Sequence, residues 1–129
     1  MGSIAGGLPS QGIALYGATK SFLDAFATAL HRELRGTGVH VSVVRPGAVL
    51  TEFGAAARRH PHGLPVPTER IGVTAEQVAA AIGNLIRRPR RVVYIPAWLR
   101  FVPWAELTVG WMIDRIGPLL LERSAAPRR

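Results

Sequence analysis

What most constrains the fold of this chain is a switch of hydrophobic period, from helical to strand-like, that occurs twice between residues 14 and 95. From Ala14 to about Arg35 apolar residues recur at helical spacing, at Leu15, Phe22, Leu23, Phe26, Leu30 and Leu34. Gly36 and Gly38 then provide a helix stop. Val39 to Val44 is a β-branched apolar run between Gly38 and Pro46, which reads as a buried strand. Residues 46–73 collect prolines and glycines with little periodicity and are expected to form a long loop, of the kind that makes lids or binding segments. Thr74-Ala75-Glu76-Gln77 has the form of a capping box, opening a helix through Val78, Ile82, Leu85 and Ile86 to about Arg88. Pro89 ends that helix, and Arg91 to Ile95 reads as a second short strand. Helix, strand, long loop, helix, strand is the order of part of a parallel α/β sheet. Two strands and two helices are too few to close such a sheet, so a piece of a larger fold is expected.

A chain of 129 residues fits one small domain, and 48% hydrophobic with 19% charged residues is a globular composition. The lack of cysteine excludes disulfides, thiolate metal sites and a cysteine nucleophile, and suits a reducing cytoplasm. A net charge of +8 raises the question of a polyanionic partner. The basic residues cluster at Arg58 and Arg59, at Arg87, Arg88, Arg90 and Arg91, and at Arg128 and Arg129, without interleaved aromatics. No helix-turn-helix or RNA-binding signature accompanies them, so a solvated arginine-rich surface is expected and no nucleic-acid partner. His60 and His62 lack a nearby carboxylate or third ligand and read as polar loop, not as a metal site. No run of about 18 uncharged apolar residues suggests a membrane span. The N-terminus has no basic stretch of a secretory signal, and Gly6 stands where a myristoylation signal would want Ser or Thr.

Of the 16 Lys and Arg residues only Lys20 is a lysine. A chain that otherwise uses arginine for positive charge has placed one compact ammonium where a guanidinium fork would not serve. Tyr16 lies four residues earlier, on the same face of the first expected helix. A free phenol is a poor acid–base catalyst at neutrality, and an adjacent ammonium favours its phenolate form. Tyr-x-x-x-Lys on a helix is therefore a proton-transfer device, although at this spacing alone a surface tyrosine packed on a lysine stem is the ordinary reading.

Three segments in order tip that balance. Gly2-Ser3-Ile4-Ala5-Gly6, Tyr16-Gly17-Ala18-Thr19-Lys20 and Arg45-Pro46-Gly47-Ala48-Val49-Leu50-Thr51 resemble motifs of the short-chain dehydrogenases/reductases, including a serine thirteen residues before the tyrosine. The resemblance runs from residue 2 to about 95 and implies the C-terminal portion of a Rossmann-like doubly wound parallel sheet, with activity on a hydroxyl/carbonyl pair of a small molecule and NAD or NADP as cofactor. It implies that Tyr16 exchanges a proton with the substrate oxygen and that Lys20 favours the phenolate and binds the nicotinamide ribose. Ser3 would hydrogen-bond the substrate carbonyl. Pro46-Gly47 would sit at the carboxyl edge of the sheet, with the Val49 backbone and Thr51 on the nicotinamide carboxamide. A homo-oligomer built through the Tyr16 helix is a further implication.

The family's glycine-rich turn, Thr-Gly-x-x-x-Gly-x-Gly, does not occur in these residues, nor do its Asn-Asn-Ala-Gly segment and catalytic asparagine. The expectation is thus a chain whose N-terminal nucleotide-binding half is missing: residues 1–95 as a partial catalytic region and 96–129 as an apolar helical tail. By itself such a chain is expected to be inactive and marginally folded. In the tail, Trp104, Leu107 and Trp111 share a helical face. That face would pack on the substrate pocket or a subunit neighbour, or, as the sharper alternative, lie in a membrane interface. A catalytically inactive homologue and a membrane-peripheral binding module stand as alternatives to the enzyme.

Overall fold

The computed structural model describes residues 1–9, 12–52 and 72–125, with side chains left aside at 113 and from 117 onward. Arg58, Arg59, His60, His62, Arg128, Arg129 and most of the expected 46–73 loop lie outside the described residues.

A short 3-10 turn, Ile4–Gly6, precedes helix α1, Ala14–Glu33. Strand β1 follows at Val43–Pro46, then helix α2 at Ala75–Arg87 and strand β2 at Val92–Ile95. A second 3-10 turn, Ala97–Phe101, leads into helix α3, Val102–Ala125. The ends of α1 and α2 fall within two residues of those expected. Beyond α1, Gly36 and Gly38 hold φ of +88° and +81°, a region in which a side chain would be strained. At Thr74 the capping box is complete: its hydroxyl accepts from the Gln77 amide, and the Gln77 side chain accepts from the Thr74 amide.

β1 and β2 pair in parallel, Val43 opposite Val92 through Pro46 opposite Ile95, so β1–α2–β2 forms the expected crossover unit. The first strand is shifted from its expected place at Val39–Val44. Strand pairing begins only where β2 lies opposite, and Val39 is 56% exposed. Pro46 stands inside the strand because Gly47 is the residue that donates to the Ile95 carbonyl, while the backbone nitrogen at 46 faces the other edge, where a missing N–H costs the ladder nothing. On that other edge Gly2 donates to the Val44 carbonyl at 2.9 Å.

The two faces of β1 are used differently. Val44 packs with Val73, Val78 and Leu85, a small core that includes α2, while Arg45 reaches Asp24 of α1 on the opposite face. The apolar stripe expected to bury α1 instead faces solvent: Leu15, Phe22 and Phe26 are 81%, 69% and 56% exposed. What α1 turns inward is Asp24, its one buried residue. Beyond β1 an isolated parallel bridge joins Val49 to Val73, so the start of the expected loop is tied back to the residue just before the α2 cap.

Candidate active site

Gly17 lies under the Ile4–Gly6 turn so closely that a Cβ there would stand 3.2 Å from the Ala5 carbonyl. A Cβ on Gly6 would meet the Lys20 backbone at 2.9 Å. The Ser21 hydroxyl donates to the Gly6 carbonyl at 2.6 Å, and Lys20 Nζ donates to the Met1 carbonyl at 3.4 Å. Small residues thus let the turn after Ser3 sit directly on the face of α1 that carries Gly17, Lys20 and Ser21.

Ser3 is buried and caps the 3-10 turn, its Oγ accepting from the Ala5 amide at 3.2 Å. That bond occupies one lone pair and leaves the hydroxyl its proton to donate. Tyr16 and Lys20 share a face of α1: Nζ lies 5.5 Å from the centroid of the Tyr16 ring, and both side chains are half-buried.

The second group of expected residues lies past the carboxyl end of β1, the edge at which doubly wound sheets bind ligands. Pro46 and Gly47 end the strand, with Gly47 pressed against Leu99 of the second 3-10 turn. Around the Val49–Val73 bridge, Leu50 and Ala48 exchange hydrogen bonds with Val73, and Val49 accepts from the Thr51 amide. The Val49 amide has no acceptor among the described residues, and the exposed Thr51 hydroxyl has no partner among them either. The start of α3 borders the Ser3 turn, because Pro103 would lie 3.2 Å from a Cβ on Gly7.

The sequence reading missed one member of this neighbourhood. Asp24 is 6% exposed and its Oδ2 lies 3.1 Å from Arg45 Nε. Arg45 also donates from Nη1 to the Tyr94 hydroxyl and stacks on the Tyr94 ring. The signal was available: Asp24 is one helical turn beyond Lys20, on the face already singled out. Among the described residues no group of three or more His, Asp and Glu is placed to hold a metal ion, and no helix is long and apolar enough to cross a membrane.

A phenol and an ammonium share one helical face, and the turn that follows a buried serine packs on the same helix. Residues 1–62 match the model of the short chain dehydrogenase family, and the chain belongs to that family of oxidoreductases. An uncharacterized oxidoreductase of Streptomyces coelicolor is 44% identical over 88 residues, which is 68% of this chain and 31% of the relative. The NADP-dependent 3-hydroxy acid dehydrogenase of Escherichia coli strain K12 is 36% identical over 95 residues, 71% of this chain and 38% of that enzyme. A very-long-chain 3-oxoacyl-CoA reductase of Pyricularia oryzae is 29% identical over 112 residues, 85% of this chain and 32% of the relative. The chain therefore spans about a third of the length of these curated relatives. No solved structure matches it.

Proposed function

We propose that these residues are the proton-transfer side of an NAD(P)-dependent oxidoreductase that interconverts a hydroxyl and a carbonyl on a small molecule. The observation that carries this reading is the Lys20 ammonium held 5.5 Å from the Tyr16 ring centroid, on the helix face against which the Ser3 turn packs. In reduction the Tyr16 hydroxyl gives its proton to the substrate oxygen, and in oxidation it takes one back. The charge on Lys20 favours the phenolate that reduction leaves behind. The Ser3 hydroxyl donates to the same substrate oxygen and stabilises the negative charge that develops there. A bound nicotinamide supplies or accepts the hydride, which no side chain can do. Tyr16 and Lys20 would hold its ribose, and the Val49 amide and Thr51 hydroxyl its carboxamide, beside the bend made by Pro46 and Gly47.

The names of two relatives include a 3-hydroxy acid with NADP and a 3-oxoacyl thioester, which makes 3-oxo acids with NADPH the first pairing to assay. In the protein carrying these residues together with a nucleotide-binding turn, Tyr16→Phe is expected to lower turnover by about 10²–10⁴-fold. Its circular dichroism should stay that of the parent. A loss of only a fewfold would refute the role.

Two readings of assembly accompany this one. The exposed Leu15, Phe22 and Phe26 stripe supports a homo-oligomer through α1, and the exposed Trp104, Leu107 and Trp111 face supports contact with a membrane surface. A catalytically inactive homologue is the competing functional reading, and detectable turnover of 3-oxo acids with NADPH would dispose of it.

A further inference from the structure

Asp24 occupies an unusual position for an acidic residue in a helix. It is 6% exposed, and neither carboxylate oxygen has an aligned hydrogen bond among the described residues. Its partner is Arg45, whose Nε lies 3.1 Å away but is not aimed along a hydrogen bond, so the pair is held by charge. A buried ion pair of this kind is weak evidence of a stability role, because well-packed apolar residues of similar volume often serve as well or better. What such a pair can do is fix a register, since moving either partner strands a charge.

The surroundings identify the register that is fixed. A Cβ on Gly2 would stand 2.8 Å from Asp24 Oδ1, and one on Gly6 would stand 2.6 Å from Oδ2. Gly2 and Gly6 flank Ser3, so the carboxylate is clasped between the two ends of the segment that carries the serine. On the other side Arg45 belongs to β1, one residue before Pro46-Gly47, and reaches across to Tyr94 of β2. One ion pair therefore joins α1, the Ser3 turn and both strands.

We propose that Asp24 and Arg45 are positioning residues that hold the Ser3 turn in register with the Tyr16 and Lys20 face of α1. This builds on the proton-transfer reading above, in which Ser3 and Tyr16 address one substrate oxygen, but its geometric part can be judged without any turnover. Neither residue touches the reacting atoms; both act through the backbone between Gly2 and Gly6.

The test compares Asp24→Asn with the double variant Asp24→Asn/Arg45→Met. The single change strands the Arg45 charge and lowers the thermal midpoint. The double change removes that charge and restores the midpoint. Amide hydrogen exchange at Ala5, Gly6 and Gly7, whose N–H groups are held by Ser3 Oγ, Ser3 O and Ile4 O, reports the turn directly. The pair predicts that these amides exchange roughly tenfold faster in both variants, while Val78 and Leu85 in the α2 core stay as protected as in the parent. In the assay described above, kcat should fall with KM little changed. Wild-type exchange and turnover in the double variant would overturn the proposal, because the pair would then have served folding alone. Should Asp24→Asn fail to fold, Arg45→Lys keeps the charge but loses the fork shared with Tyr94, and wild-type exchange at Ala5 in that variant overturns it equally. Tyr16→Phe separates the two claims: if it keeps full turnover the enzymatic reading fails, and the exchange rates still decide the role of Asp24.

Discussion

A methyl group at Gly6 has nowhere to go: the Asp24 carboxylate lies 2.6 Å from where it would be and the Lys20 backbone 2.9 Å. The backbone contact is the one that cannot yield by rotating a side chain. Gly6→Ala is therefore expected to destabilise the protein by about 1–3 kcal/mol, read as a lowered midpoint in thermal or urea unfolding. An unchanged midpoint would show that the turn after Ser3 is not seated on α1. At this scale the sequence was legible where a residue was unusual in kind. Lys20 stands out as the lone lysine, and Tyr16 follows from its spacing. For Asp24 the spacing from Lys20 marked the face, but its burial was not legible, because an acidic residue in a helix is ordinarily solvated and its arginine partner lies on β1. The Ser3 hydroxyl caps the 3-10 turn and still has a proton to offer.

Elements show the same division. The capping box at Thr74 could be read outright because its logic is local. It carries a consequence for Glu76, whose carboxyl is held below its ordinary 4.5, first by the hydrogen bond with the Thr74 side chain and then by its own backbone amide, against a small opposing effect of desolvation. A carboxyl depressed in the folded state contributes stability that is present above its ordinary value and lost as pH falls through the folded one. Thr74→Ala should remove about 1 kcal/mol of helix stability and move the Glu76 titration upward, toward the ordinary glutamate range, as followed by NMR of its side chain. No movement of that titration would contradict the cap. Less legible were the limits of β1, which depend on where β2 lies opposite, and the direction in which α1 turns its apolar stripe. Periodicity says that a helix has an apolar face, not what covers it. The α3 face is the same case. Contact with a lipid surface predicts that vesicles rich in anionic lipid carry the protein upward in flotation and that Trp104→Glu/Trp111→Glu leaves it at the bottom. Parent protein that does not float contradicts that contact.

Across the whole molecule, the order of helix and strand sufficed to indicate a parallel α/β arrangement, and the β1–α2–β2 crossover is the part of it that the described residues contain. The remaining architecture could not be read from periodicity, because a two-stranded sheet leaves open what lies on its other edge. Ser3, Tyr16 and Lys20 are gathered by one helix and the turn seated on it, and Pro46, Gly47, Val49 and Thr51 by the end of one strand. The claim on which the functional account rests is that Tyr16 and Lys20 work as a unit, and a double-mutant cycle on turnover tests it most directly. Tyr16→Phe and Lys20→Arg should each cost about 10²-fold or more in kcat, and the double variant should lose no more than the worse single one. Losses that multiply, or singles that keep most of their turnover, would contradict it.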